Sequence, residues 1–393
     1  MKKTLFVIVL AVAVASFIFI AAQANESNGR KIIVFSDALN EAAKDELIAR
    51  TGSVKFKNLD FIGAKAVWVP SRAAAEKLKK HPSVLRIEDD VEVFALGRFE
   101  KQNYNTQLAQ VLPWGIDRVD AEKVWPLGNT ADPVKISIID TGISDRHPDL
   151  LANIKGGVNT IQPKKNWNDD NGHGSHVAGI VAALNNTIGV VGVGPAADLY
   201  AVKVLNAAGS GYLSDVIEGI QWSINNEMQV INMSLGTSSN VQSFHEAVIA
   251  AKKAGIVVVA AAGNSGGSVI YPAAYPETIA VSATDKYDMI ASWSSRGQEV
   301  DLAAPGVSIY STYKRTSYAT LSGTSMAAPH VAGSAALVLN TPVDGVYDAD
   351  NDGKWDPDEV QKKLQDKAVD LGDSGFDFLY GWGLVNAHNA VQQ

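Results

Sequence analysis

Asp140, His173 and Ser325 are a carboxylate, an imidazole and a hydroxyl, each set in a short run of small residues. Asp140 closes the apolar run Val134–Asp140 and is followed by Thr141-Gly142. His173 sits in Asn171-Gly172-His173-Gly174-Ser175-His176, which opens a helical pattern, and the flanking glycines leave room for a substrate. A helix start disfavours an imidazolium unless a carboxylate compensates, and Asp140 is available for that role. Ser325 lies in Gly323-Thr324-Ser325-Met326-Ala327-Ala328-Pro329-His330, at the head of an apolar helix running to Leu339. Small neighbours leave its Oγ uncrowded, and the helix dipole favours a developing oxyanion there. A serine holds its proton too tightly to attack unaided at neutral pH, so it needs a base, and that base needs an orienting carboxylate. Asn264, in the Gly-rich loop Ala260–Gly267 after another strand, offers an amide to the same crevice. Taken singly, these residues read as a strand-end carboxylate, a helix cap and a turn asparagine. Taken together they are an acid, a base, a nucleophile candidate and an amide donor, all at strand ends or helix starts. His176, one turn beyond His173, and His330, five residues beyond Ser325, are assigned to structure.

A second constellation is built for a hard cation. Asp348-x-Asp350-x-Asp352-Gly353-x5-Glu359 follows the spacing of a calcium-binding loop, with Gly353 at the sharp turn. Asp348, Asp350, Asp352 and Glu359 supply carboxylates, Lys354 a backbone carbonyl, and Asp356 binds through water. Acidic residues this close repel without a cation. Asp356-Pro357-Asp358-Glu359 also reads as an N-cap, a first-turn proline and a capping acid, and the two readings are compatible. The exit helix runs to about Ala368, and Pro342 and Gly345 argue against a full entering helix.

The elements that must position these groups are legible as short apolar runs. Val134–Asp140, Leu199–Leu205, Val230–Leu235, Ile256–Ala262 and Thr278–Thr284 suit strands covered on both faces. His173–Leu184, Leu213–Asn225 and Phe244–Ala254 read as helices between them. This alternation predicts an α/β fold, a parallel sheet with helices on both faces, whose ligands sit at the carboxyl ends of the strands. The candidate residues fall there.

Residues 25–96 read as a small α+β unit ahead of that sheet. Strands at Lys31–Phe35, Val54–Phe56, Ala66–Val69 and Val84–Leu96 alternate with helices at Leu39–Arg50 and Ser71–Lys80, with Ser71 as N-cap, a ferredoxin-like β-α-β-β-α-β order. Residues 97–108 are polar and predict a linker. At the start, Lys2 and Lys3 precede an uncharged stretch from Thr4 to Ala22 and the small-x-small triplet Ala22-Gln23-Ala24, the pattern of a secretory signal over residues 1–24. Its apolar length of 19 residues leaves a retained membrane anchor as the alternative.

Composition narrows the class. The chain has 393 residues, no cysteine and a formal net charge of −8. Disulfides, thiol catalysis and thiolate zinc are excluded, and a nucleic-acid partner is disfavoured. Charge divides unevenly: residues 1–96 carry 14 Lys and Arg against 11 Asp and Glu, and the remainder 20 against 31.

The segments IIDTGISDRHPDL (138–150), NGHGSHVAGIVAAL (171–184), VINMSLG (230–236), AAAGN (260–264), GTSMAAPHVAG (323–333), LGDS (371–374) and YGWGLVN (380–386) resemble the signatures of the subtilisin-like serine proteases. The Asp…His…Ser chain order is similar too. The resemblance runs from about Ala109 to the C-terminus, and residues 31–96 are similar to the family's inhibitory, fold-assisting propeptide. It implies a broad-specificity serine endopeptidase made as a self-processing zymogen, monomeric, acting on polypeptides. Asp140, His173 and Ser325 would form the triad, and Asn264 with the Ser325 N–H the oxyanion hole. It further implies that Ser234-Leu235-Gly236 and Gly209-Ser210-Gly211 sandwich an extended substrate. Ala261, Gly263 and Ile270 would line the primary pocket, Ile270 standing where many relatives have glycine. Leu213 and Val216 would line the pocket for the fourth residue before the cut. The resemblance places self-cleavage between Leu96 and Gly97, with Val93 in the Leu213/Val216 pocket; a cut nearer Ala109 is the alternative. Two further cation sites are implied. One takes carbonyls of Leu184, Ile188 and Val190 with side-chain oxygens of Asn186, Asp149 and Gln110. A weaker one takes carbonyls of Ala273, Tyr275 and Thr278. Calcium would replace the missing disulfides by binding only the folded state. The rival readings are a calcium-binding protein keeping an inactive protease fold, and an esterase.

Overall fold

The computed structural model describes residues 29–103 and 109–392, so the expected signal segment at 1–24 lies outside the described residues. The chain divides into two compact units, one ending at Val91 and one beginning at Glu92.

The first unit contains β1 (Arg30–Phe35), α1 (Glu41–Arg50), β2 (Val54–Leu59), β3 (Ala64–Trp68), α2 (Arg72–Lys79) and β4 (Val84–Asp89). Its antiparallel sheet runs β2-β3-β1-β4, the ferredoxin-like order. Ser71 caps α2, its hydroxyl accepting the Ala74 N–H at 3.2 Å. Ile33, Phe35, Ile48, Val67 and Leu78 form a small core. The single strand expected over Val84–Leu96 is two strands. It breaks after Asp90, whose N–H still bonds the Arg30 carbonyl and whose buried carboxylate pairs with Arg30 at 2.9 Å; the residues beyond pair with other strands.

The second unit opens with β5 (Glu92–Ala95) and β6 (Arg98–Asn103), then α3 (Trp114–Arg118), β7 (Lys135–Asp140), β8 (Ile154–Asn159) and α4 (His173–Ala182). There follow β9 (Asp198–Lys203), β10 (Ser210–Tyr212), α5 (Leu213–Asn225), β11 (Val230–Met233), β12 (Leu235–Gly236), α6 (Gln242–Lys253), β13 (Val257–Ala261) and β14 (Ile279–Thr284). The unit ends with β15 (Leu302–Pro305), β16 (Ile309–Thr312), β17 (Tyr318–Ser322), α7 (Thr324–Leu339), α8 (Pro357–Asp366) and α9 (Ala387–Val391). Seven strands form one sheet in the order β15-β14-β13-β11-β7-β9-β8, parallel throughout. Helix α4 packs with α7 and α5 with α6, flanking the sheet. Helix α7 is buried from Thr324 through Val338, which explains why it is apolar all round rather than on one stripe.

Five sheet strands match the apolar runs. The other two are the edges: β8 (IKGGVN) carries two glycines and is half-exposed, and β15 (LAAP) is short and ends in proline, so neither shows a strand pattern. The 97–108 segment departs from the expected linker. Arg98–Asn103 is a strand paired antiparallel with β17, Arg98 opposite Ser322 and Asn103 opposite Tyr318; residues 104–108 lie outside the described ones.

Candidate active site

Strand ends and helix starts bring the four candidate residues together. Asp140 is the last residue of β7, His173 the first of α4 and Ser325 the second of α7, while Asn264 follows β13. Asp140 is fully buried and accepts from His173 Nδ1 at 2.8 and 2.9 Å on its two oxygens. This approach requires Gly174, because a Cβ there would run into the Gly142 carbonyl and come within 3.1 Å of the Asp140 Cβ. Burial opposes the His173 cation, but the charge and hydrogen bond of Asp140, helped by Asp169, outweigh it and hold the pKa above the ordinary imidazole value. The structural histidines behave oppositely: burial pushes His176 down to about 3 and His330 to about 4. His176 Nε2 donates to the Ile309 and Ala319 carbonyls, and His330 Nδ1 to Met326 O.

The hydroxyl and imidazole are not joined directly. Ser325 Oγ donates to the Ser234 carbonyl at 2.9 Å, and His173 Nε2 is buried without a hydrogen-bond partner among the described residues. The reason is that the site is filled by the chain itself. Leu96 and Gly97 lie across it. The Asn264 amide donates to the Leu96 carbonyl, and a Cβ on Gly97 would come within 2.7 Å of His173 Cδ2 and 2.9 Å of Nε2. A Cβ on Gly323 would meet the same Leu96 carbonyl, so that turn must be glycine.

The residues before Leu96 lie in a three-stranded sheet, β10-β5-β12. Ser210 is opposite Phe94, Gly211 opposite Val93, Leu235 opposite Ala95 and Gly236 opposite Phe94. The Ala95 N–H reaches Gly209 O at 2.9 Å and the Leu96 N–H reaches Ser234 O at 3.2 Å. Val93, Leu213 and Val216 are fully buried. The Ile270 side chain lies between two glycines, its Cδ1 2.6 Å from where a Gly236 Cβ would stand and its Cγ1 3.3 Å from that of Gly263. Ala261 ends β13, fully buried.

Residues 131–383 match the model of the Subtilase family. The chain is 48% identical over 285 residues to Subtilisin Savinase of Lederbergia lenta, covering 72% of this chain and all of that protein. It is 41% identical over 361 residues to Subtilisin E of Bacillus subtilis strain 168, covering 90% of this chain and 87% of the relative. An Alkaline protease of Shouchella clausii is 44% identical over 318 residues, 81% of this chain and 76% of its own. The chain belongs to the subtilase family. It is a serine endopeptidase, and its substrates are polypeptides.

Three further residues of this subtilase, none singled out for a role in the sequence, tie the site together. Asp169 is fully desolvated and accepts from Ser175 Oγ at 2.6 Å, from the Gly172 and Ser175 N–H groups and from Thr141 Oγ1, tying β7 to the start of α4. Thr141 Oγ1 in turn accepts the Gly174 N–H at 2.9 Å. Thr324 gives its N–H and hydroxyl to Asn264 Oδ1, both at 2.9 Å, which fixes the amide so that its NH₂ faces Leu96. The Asn168-Asp169-Asp170-Asn171 run ahead of the helix was the only available hint.

The acidic loop gathers its carboxylates. Asp348, Asp350 and Asp352 offer oxygens within 4.8 Å of one another, as do Asp350, Asp356 and Glu359. Backbone N–H groups of Asp352 and Gly353 turn in on Asp348, Gly353 adopts φ +77°, and Lys354 N–H bonds Asp352 at 2.7 Å. No helix enters the loop, and Asp356 with Glu359 forms a capping box at α8. Burial, with the charges of Asp350, Glu359, Asp352 and Asp358, holds the Asp356 carboxyl above its ordinary value. In the second cluster, Asn186 Nδ2 bonds Asp149 at 2.7 Å, Val190 N–H bonds Asp149 at 2.8 Å, and Asn186 N–H bonds Gln110 Oε1 at 2.6 Å. Leu184 N–H bonds the Asp149 carbonyl, and Ile188 N–H bonds Asn186 Oδ1. Burial raises Asp149 to about 6, and among the described residues no Lys or Arg pairs with it. At the third cluster the Ala273 and Tyr275 carbonyls lie 3.1 and 2.9 Å from Thr278 Oγ1.

Proposed function

We propose that this subtilase is a secreted, calcium-stabilised endopeptidase of broad specificity that processes itself between Leu96 and Gly97, and that the structure represents the chain before that cut. The observation supporting this reading is the Leu96 carbonyl held by Asn264, with Gly97 against His173 and Glu92–Ala95 as the middle strand of a three-stranded sheet. Backbone pairing reads main-chain groups, so many sequences fit, while the Ile270 side chain shortens the primary pocket and disfavours large aromatics.

Ser325 Oγ leaves the Ser234 carbonyl for the unpartnered His173 Nε2, which takes its proton as Oγ attacks the Leu96 carbonyl carbon. Charge develops on the Leu96 oxygen, which the Asn264 amide already holds before the reaction and which the Ser325 N–H would join in binding. His173 then gives the proton to the Gly97 nitrogen, which departs as an amine. Water, deprotonated by the same imidazole, releases the acyl group. Asp140 holds the Nδ1–H tautomer throughout and stabilises the imidazolium.

Calcium fits the acidic loop, and the Asp149 cluster with its single carboxylate, by donor chemistry: oxygen donors, with no Lys or Arg paired to these carboxylates among the described residues. Asp348, Asp350, Asp352, Asp356, Glu359 and the Lys354 carbonyl would hold one ion. Gln110, Asp149, Asn186 and the Leu184, Ile188 and Val190 carbonyls would hold another. The ions would supply folded-state stability. The basic start and apolar stretch of residues 1–24 support export.

N-terminal sequencing of active enzyme, with fluorophosphonate labelling, tests the reading. A start at Gly97 and a label lost in Ser325→Ala are expected; a different start or an unlabelled processed enzyme would falsify it.

A further inference from the structure

The segment after the proposed cut is seated as firmly as the one before it. Residues Arg98–Asn103 complete a three-stranded antiparallel sheet on the edge of β17. Its register shifts between Leu321 and Thr320, so that Phe99 faces Leu321, Lys101 faces Thr320 and Glu100 is the extra residue of a bulge. A bulge re-aims a side chain. Here Glu100 Oε2 accepts from Ser308 Oγ at 2.9 Å and Oε1 accepts from Ser322 Oγ. The Ser322 hydroxyl is oriented for this, because it accepts the Ser308 N–H at 2.7 Å. The Phe99 ring lies 5.9 Å from that of Tyr313.

We propose that the β17 edge, along which the residues after the proposed cut pair, selects among departing segments by their side chains. Its selectivity is for an acidic side chain at the fourth residue after the cut, received by the Ser308 and Ser322 hydroxyls. Tyr313 offers a ring to the third residue. The occupant is the departing half of a substrate, and the chain's own Gly97–Asn103 segment occupies the same place before processing. This inference rests on the reading of Leu96–Gly97 as the scissile bond. Once cut, the new N-terminal segment must leave β17 before a substrate can extend along it, so it competes with substrate from the departing side.

The test uses processed enzyme and the peptide Val-Phe-Ala-Leu-Gly-Arg-Phe-Glu-Lys-Gln-Asn, its Glu→Gln analogue, and a peptide ending at the glycine. Charge-assisted hydrogen bonds to a carboxylate are expected to favour the Glu peptide over the Gln peptide by about tenfold in kcat/KM. In Ser308→Ala/Ser322→Ala the preference falls to within about twofold; the ratio is read, so a general loss of activity cancels. The free peptide Gly-Arg-Phe-Glu-Lys-Gln-Asn inhibits, and less so with Gln in place of Glu. Equal cleavage of all three peptides at Leu-Gly overturns the β17 proposal and leaves the scissile-bond reading standing. A Glu preference that survives the double variant overturns the assignment to Ser308 and Ser322. Failure to cut any peptide at Leu-Gly overturns the scissile-bond reading itself.

Discussion

At the scale of single residues, the proposed chemistry turns on the Asp140–His173 hydrogen bond. The pair raises the imidazole pKa, so the neutral base is lost as pH falls through a value above the ordinary one. Activity is therefore expected to fall on an acid limb centred above about 6.5. Asp140→Asn removes both the charge and the correct tautomer. A loss of about 10⁴-fold in kcat, the size seen in other triads, is expected, with the residual limb moved to lower pH. A pH–rate profile of the variant with an unmoved limb would exclude this role. Asn264→Ala should cost about 10²–10³ in kcat, a magnitude carried over from subtilisin itself. These residues were readable in sequence because each sits in a run too small and too glycine-rich to be ordinary core. What could not be read was the present partner of Ser325. That partner depends on Leu96 and Gly97 filling the site, which is a matter of distant chain segments meeting.

At the scale of elements, close approach decides the geometry. Gly174 is the contact point between the head of α4 and the end of β7. Gly174→Ala is expected to destabilise by about 1–3 kcal/mol through overpacking and to lower activity by displacing His173, measured by melting temperature and kcat together. An unchanged melting temperature would show that the helix head can yield. Gly97→Val places a branched side chain against the His173 ring, so self-processing should slow strongly while β5 still pairs; a gel time course of precursor conversion reads this. The central strands and helices were legible because double burial makes continuous apolar runs. The edge strands β8 and β15, and β6 in the expected linker, were not. Their pairing is set by neighbours already in place rather than by their own residues, and β6 is polar throughout apart from Phe99.

For the whole molecule, stability without cysteine is the question. The acidic loop at 348–359 and the Asp149 cluster concentrate carboxylates that repel one another or lie desolvated in the fold. Chelation is expected to lower the melting temperature markedly, with stabilisation growing with free calcium as RT ln(1 + [Ca]/Kd). Glu359→Gln should weaken that dependence, although it leaves the amide able to cap α8 in part. A melting curve indifferent to EDTA would remove calcium from the account. The loop's ligand spacing was visible in sequence; its second use as a helix cap, with Glu359 accepting the Ala349 and Asp356 N–H groups, is equally real in the structure.

The pairing of β5 and β6 on either side of one bond has a last consequence. Before the proposed cut, both halves are held at the effective concentration of a single continuous chain, so a rival in solution competes poorly with either. After it, the two halves would differ. The part before Gly97 would become a separate molecule whose occupancy falls on dilution, whereas the part after it would remain covalently tethered to the enzyme and keep its local concentration at any dilution. Escape from the first should be a matter of volume and proteolysis, and escape from the second a matter of how well a substrate competes for the same edge.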